Sequence, residues 1–222
     1  MTVTDAARNS ALFITLEGIE GSGKTTQMAH LKRHLETAGR QVVVTREPGG
    51  SPIGRQIRAL LLDPANKDLV PEAELLLYMA DRVQHIRTVI EPALAAGKVV
   101  LCDRFFDATI VYQGAARGLA SEMIERLYNF TCGDLMPDLT LLLDLAPEEG
   151  LRRAWAQLEK GDRTATESRF EQEKLDFHHK VRAGYLRLAA VHEARYRIID
   201  AGRDAETVGR DLIRQIDLLL SP

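Results

Sequence analysis

Residues 12–25 read Leu12-Phe13-Ile14-Thr15-Leu16-Glu17-Gly18-Ile19-Glu20-Gly21-Ser22-Gly23-Lys24-Thr25. The near-continuous apolar run from Leu12 to Leu16 has the pattern of a buried strand that ends at Glu17 and Gly18. Gly18 to Thr25 then matches GxxxxGK[ST], and a helical pattern begins at once. Strand, glycine loop and helix in that order form a phosphate-cradling loop. The glycines let the backbone curl so that successive N–H groups point at anionic oxygens, and the helix N-terminus adds its partial positive charge. Lys24 bridges terminal phosphates and Thr25 ligates Mg²⁺. Gly18, Ile19, Glu20, Gly21, Ser22, Gly23, Lys24, Thr25 and Thr26 are thus expected to hold a nucleoside triphosphate.

Beyond this loop, residues 25–38 read as a helix closed by Gly39, and Gln41 to Thr45 as a β-branched strand entering the turn Arg46-Glu47-Pro48-Gly49-Gly50. Residues 71–96 read as one long helix opening at Pro71. Val99 to Cys102 is a strand that ends in Asp103-Arg104, Leu139 to Leu143 one that ends in Asp144, and Arg197 to Asp200 the last. Buried strands separated by helices imply right-handed crossovers. The expected fold is therefore α/β: a doubly wound, five-stranded parallel sheet flanked by helices, of the P-loop kind. Ligands gather at the carboxyl ends of such strands, where Gly18, Arg46, Asp103, Arg104 and Asp144 fall.

The chain has 222 residues, 45% hydrophobic and 27% charged, which suits one folded domain and excludes disorder or a collagen-like repeat. Its 29 Lys and Arg against 32 Asp and Glu leave a charge of −3, too little positive field to hold a nucleic-acid backbone. Cys102 and Cys132 form no CxxC pair, which fits a reducing, cytoplasmic setting, and no apolar run approaches the roughly 20 residues of a bilayer span. Residues 1–10 are polar and expected to be a flexible tail. LEKGDRTATESRFE, residues 158–171, breaks helical periodicity and reads as a mobile loop.

Arg46 and Arg104, both at strand ends, suggest a second anion opposite the triphosphate, because guanidinium forks bind phosphate bidentately. A structural ion pair is the alternative for each. A guanine-specific switch would need NKxD after a strand. Asn66-Lys67-Asp68-Leu69 fails at its fourth residue and is preceded by no strand. Tyr78 and Arg82, four apart on the long helix, share a face on which a ring and a hydrogen-bond fork can meet one base.

With these pieces in place the chain resembles the thymidylate kinases in their bacterial form. The resemblance rests on FITLEGIEGSGKTT (13–26), TREPGG (45–50), LLLYMADRVQH (75–85), DRFFDATIVYQG (103–114), PDLTLLLDLAPEEGLRRA (137–154) and VRAGYLRLA (181–189). It implies phosphoryl transfer from ATP to dTMP, giving dTDP and ADP, with Mg²⁺, in a cytoplasmic homodimer of nucleoside monophosphate kinase fold with a short lid. Within it Glu20 faces the acceptor's sugar, and Arg46 and Arg104 clamp the dTMP phosphate. Asp103 is the magnesium-side or phosphate-organising acid. Tyr78 stacks on thymine and Arg82 donates to its O4. Thr109 reaches the thymine edge, Tyr112 crowds the 2′ carbon, and Gln113 and Pro48 complete the acceptor site. Phe105 stands where the family often has tyrosine and Ala108 where serine is common.

The phosphate loop holds no basic side chain except Lys24, so the lid, about 156–171, is expected to supply the arginine that neutralises the transferring group. The candidates are Arg153, Lys160, Arg163 and Arg169, with Arg153 and Arg163 first and Arg104 as the substitute. The competing readings are a nucleotide-dependent switch with no acceptor pocket and another nucleoside monophosphate kinase.

Overall fold

The computed structural model describes residues 11–160 and 167–220. Five strands, β1 (Leu12–Glu17), β2 (Val42–Arg46), β3 (Val99–Asp103), β4 (Leu139–Asp144) and β5 (Tyr196–Asp200), form one parallel sheet in the order β2-β3-β1-β4-β5. β1, the strand that leads into the glycine loop, is central. It pairs with β3 in the register Leu12↔Val99 to Leu16↔Asp103, and with β4 from Ile14↔Leu139. That register brings the ends of β1 and β3 level, so the glycine loop and the Asp103-Arg104 corner emerge side by side.

The central strands β1, β3 and β4 are buried on both faces because helices cover both. Ile14, Leu16, Val99 and Leu101 belong to one core with Met28, Leu31 and Leu35 of α1 (Lys24–Thr37) and Val208, Leu212 and Ile216 of α9 (Ala205–Leu220). The alternate residues Phe13, Val100 and Cys102 pack with Leu75 and Met79 of α3 (Pro71–His85) and Ile124 and Tyr128 of α6 (Ser121–Cys132). The remaining helices are α2 (Pro52–Leu62), α4 (Glu91–Ala95), α5 (Phe106–Thr109), α7 (Pro147–Glu159) and α8 (Leu175–Val191).

Three features depart from the sequence reading. The helix expected over 71–96 is divided by a π-helical turn, Ile86–Ile90, between α3 and α4. Pro92 explains it: proline cannot donate to the carbonyl four residues back and its ring crowds that carbonyl, so the turn ahead of it widens. A second π-helical stretch, Ile110–Ala116, continues α5. The segment 156–171, expected as a mobile lid, is not uniform. Residues 156–159 complete α7, residues 161–166 lie outside those described, and Ser168 to Glu171 are buried. The cause of that burial is a pair of ion pairs. Arg58 of α2 grips Glu167 through two hydrogen bonds of 3.0 and 2.8 Å, and Arg169 reaches Glu74 of α3 at 2.5 Å.

Candidate active site

The loop between β1 and α1 curls through three glycines with positive φ: Gly18 at 139°, Gly21 at 71° and Gly23 at 94°. Gly18 and Gly21 also have no room for a side chain. A Cβ on Gly18 would lie 2.6 Å from the Leu143 carbonyl oxygen, and one on Gly21 would lie 2.9 Å from the Gly150 carbonyl carbon and closer still to its oxygen. The loop is thus pressed against β4 and the first turn of α7. Lys24 bends back over it, donating to the carbonyls of Gly18 and Ile19 at 2.9 and 3.0 Å and to Ser22 Oγ at 3.4 Å. Burial, with the Arg104 charge nearby, brings its ammonium pKa down to about 8, against the pull of Asp103, Glu20 and Glu17.

Glu20 is not a solvated loop carboxylate. Its Oε1 accepts from Arg104 Nη2 at 2.8 Å and from the Tyr112 hydroxyl at 2.7 Å, and His178 Nδ1 of α8 lies 3.3 Å from its Oε2. Burial alone would raise its pKa, but Arg104, then His178 and Lys24, hold it far below the usual carboxylate range. Arg104 is the single non-glycine residue with positive φ among those described, at 66°. Backbone strain of that kind persists only where the surroundings enforce it. Here its own N–H donates to the Leu16 carbonyl at 3.0 Å, and the next N–H, that of Phe105, donates to Glu17 Oε1 at 2.8 Å. The guanidinium is thereby turned toward the loop, donating to Tyr112 Oη and the Gly18 carbonyl as well.

A cavity of about 530 Å³ opens over this corner. One half is lined by loop residues Glu20 to Thr26 with Arg46, Asp103 and Arg104. Arg46 is exposed and its side chain has no hydrogen bond or ion pair among the described residues; partial burial and neighbouring Arg58 lower its pKa. The other half is lined by Pro48, Tyr78, Arg82, Thr109, Tyr112 and Gln113. The spacing of Tyr78 and Arg82 does place both on the cavity face of α3. Gln113 donates its amide to Glu74 Oε1 at 2.7 Å, which leaves its carbonyl end for a ligand's N–H. The departures at 105 and 108 are absorbed differently. The Phe105 ring is buried edge-on against Phe13, and its backbone carbonyl, not a hydroxyl, accepts from Arg82 at 3.1 Å; Ala108 lines the cavity.

A magnesium ion finds a fitting but incomplete donor set. Asp103 Oδ1 is buried with no hydrogen-bond partner, and Thr25, exposed in the first turn of α1, lines the same cavity. One carboxylate and one hydroxyl suit an ion that keeps waters and borrows phosphate oxygens; no cluster of three acidic, His or Cys ligands exists among the described residues.

The lid candidates separate. Arg153 lines a second cavity of about 400 Å³, as does Lys160; this cavity shares Gly21, Ser22, Gly23, Thr26 and Gln157 with the first. Arg153 is tied to Glu149 at 2.7 Å and to the Ala201 carbonyl at 3.0 Å. Arg169 is buried, holding Glu74 and the Leu61 carbonyl. Arg163 lies outside the described residues.

Sequence reasoning missed Glu47, His85, Glu74, Phe170 and His178. Glu47 is buried with its carboxylate on Arg82 Nε and His85 Nδ1 at 2.8 and 2.9 Å. The TREPGG string contained the signal, since a carboxylate next to a proline turn had no assigned partner. Phe170, Glu74 and His178 left none, because their partners are 58, 95 and 158 residues away in Tyr112, Arg169 and Glu20.

A glycine loop between the central strand and its helix, with a second arginine-lined recess beside it at the strand ends, defines a P-loop protein of the nucleoside monophosphate kinase class. Comparison with known proteins narrows this. The family profile described as thymidylate kinase matches residues 16–212. A thymidylate kinase of Desulfosudis oleivorans is 56% identical over 200 residues, covering 90% of this chain and 94% of the relative. One of Nitratidesulfovibrio vulgaris (strain Miyazaki F) is 52% identical over 210 residues, 95% of this chain and 98% of its own. The crystal structure of thymidylate kinase from Ehrlichia chaffeensis superimposes with a TM-score of 0.74 at 32% identity, covering 93% of this chain and 98% of that one. The chain belongs to the thymidylate kinase family.

Proposed function

We infer that the protein transfers the terminal phosphoryl group of ATP to dTMP, giving dTDP and ADP. The observation that carries this reading is one cavity with two anion-holding walls, the glycine loop with Lys24 and the unpartnered Arg46 with Arg104, backed by a recess for a base. A switch protein has no use for the second wall. In this reading the triphosphate lies in the loop, the donor nucleoside in the second cavity, and the acceptor phosphate against Arg46 and Arg104. Thr25 and Asp103 would hold magnesium, which when bound would neutralise phosphate charge. Phosphoryl transfer needs little covalent help, so the chain's contribution is positioning and charge. Lys24 moves its donors from loop carbonyls to phosphate oxygens. Glu20 keeps Arg104 and the Tyr112 hydroxyl at the sugar end of the acceptor. Tyr78, Arg82, Thr109 and Gln113 read the base.

Arg153, on α7 beside the donor cavity, and Arg163 remain the proposed sources of the transition-state arginine. The exposed apolar residues Ile53 and Leu60 of α2, Leu76 of α3 and Phe130 of α6 support a homodimer through these neighbouring helices. The two free thiols, Cys102 and Cys132, support a cytoplasmic setting. No helix among the described residues is long and apolar enough to cross a membrane. The test is ADP release measured with and without dTMP, and with dCMP in its place. Release dependent on dTMP and poor with dCMP supports the reading; release indifferent to the acceptor refutes it.

A further inference from the structure

Beneath the base-binding half of the cavity runs a chain of four polar side chains, three buried and Thr45 half-buried, that phosphoryl transfer itself does not require. Thr45 Oγ1 lies 2.6 Å from His85 Nε2, and His85 Nδ1 lies 2.9 Å from Glu47 Oε1. Glu47 Oε2 accepts from Arg82 Nε at 2.8 Å. The His85, Glu47 and Arg82 side chains are 0, 2 and 1% exposed. A carboxylate only accepts, so Nδ1 carries the ring proton, and in the neutral ring Nε2 accepts from the Thr45 hydroxyl. The imidazole is also wedged: a Cβ on Gly50 would lie 2.7 Å from Thr45 Oγ1 and closer still to the ring.

The far end of the chain is the guanidinium that lines the cavity. Nε is held by Glu47 and Nη2 by the Phe105 carbonyl, while Nη1 meets only the Met79 thioether at 3.7 Å, a weak acceptor. Nη1 is therefore the donor left for a ligand, and its direction is set by how the Glu47 carboxylate is turned. Without His85, Glu47 Oε1 would be a buried carboxylate oxygen lacking its partner, free to swing and take the Nη2–H that lies parallel to Nε–H in the bidentate arrangement such pairs favour, in competition with the Phe105 carbonyl. The guanidinium would then shift in its plane, and Nη1 would no longer be aimed at the base.

We propose that His85, oriented by Thr45, is a positioning residue for acceptor selection: it fixes Glu47 so that Arg82 presents Nη1 to the oxygen at position 4 of the acceptor's pyrimidine. This rests on the assignment of Arg82 as the base donor. It goes further by placing part of the selectivity in a ring that touches no substrate.

The experiment compares kcat/KM for dTMP with that for the same nucleotide lacking the 4-oxo group, the 5-methyl-2-pyrimidinone analogue, in wild type, H85N, H85L and T45V. Wild type should prefer dTMP by about 100-fold or more, because the analogue strands the Arg82 donor and also lacks the N3–H, a second loss that falls alike on every variant. H85L should lose about tenfold or more of that preference. H85N, whose amide replaces the Nδ1 donor, should keep it within about threefold, and T45V should lose about threefold. General destabilisation lowers both substrates alike and leaves the ratio unmoved. Absence of a preference in wild type refutes the Arg82 assignment itself. A wild-type preference that H85L retains, or that H85N loses as fully as H85L, overturns the role given to His85. Should H85L fail to fold, an unchanged ratio in T45V overturns it equally.

Discussion

Replacing Gly21 by alanine tests whether the phosphate loop is held in place by its backbone contact with α7. Two costs add. At φ 71° a side chain meets the left-handed penalty, about 1–2 kcal/mol. The new Cβ would also lie 2.9 Å from the Gly150 carbonyl carbon, closer to its oxygen, and 3.2 Å from the Ala154 nitrogen. All of these atoms are backbone and cannot rotate aside, so loop and helix must part by on the order of 1 Å, an overpacking cost of about 1–3 kcal/mol. Gly23 is the internal control, for its φ is 94° but a Cβ there meets nothing within 4 Å, leaving the conformational cost alone. Urea unfolding should therefore show G21A losing about 2–5 kcal/mol and G23A about 1–2. The contact is mutual, since a Cβ on Gly150 would lie 2.5 Å from the Glu20 carbonyl oxygen. G150A added to G21A should cost less than G150A alone, because the gap is already open. Turnover of G21A should fall about 100-fold, the usual consequence of an ångström-scale misplacement. Equal losses for G21A and G23A, or strict additivity with G150A, would refute the packing argument.

Three other perturbations have definite outcomes. The Lys24 ammonium, with its pKa lowered to about 8 by burial and Arg104, must be charged to meet a triphosphate, so kcat/KM for ATP should decline as pH rises through about 8; K24A should lower turnover by about 100-fold or more and show no such limb in its pH profile. Glu17 has its carboxyl pushed up from 4.5 to about 8 by burial and then Asp107. The folded state therefore binds that proton more tightly than the unfolded, and its contribution is full below pH 4.5 and lost as pH rises to 8. In E17Q, urea midpoints between pH 5 and 8 should lose that downward slope. R169A should destabilise by about 3 kcal/mol, by leaving Glu74 with Gln113 and the longer Arg117 contacts; unchanged melting with reduced turnover would instead place Arg169 at the transferring phosphate.

The glycine loop and the parallel sheet were legible because they are local: each strand is a short apolar run with its own punctuation, and GIEGSGKT carries its chemistry within eight residues. Tyr78 and Arg82 were legible because helix geometry fixes residues four apart on one face. The partnership of Glu47 with Arg82 and His85, 35 and 38 residues away, was not, since a sequence does not say which helix a turn will pack against. The end of the segment expected as a lid misled for a related reason. Its polar letters look solvated, yet Glu167 and Arg169 are polar in order to bond Arg58 and Glu74 across the molecule.

The π-helical stretch Ile110–Ala116 sets the angular phase of one wall of the cavity. Thr109 enters it and Tyr112 and Gln113 lie within it, and all three line the same cavity. A stretch of this kind holds one residue more than a regular helix would need to span it. Deleting Ile110 or Val111 would restore regular winding and, with the flanking segments held by their packing, turn the side chains that follow within the stretch. Tyr112 would be turned away from Glu20, and the Gln113 amide away from Glu74. The length of this segment thus carries recognition as much as its letters do, and the site should survive many substitutions between 110 and 116 sooner than the loss of one residue.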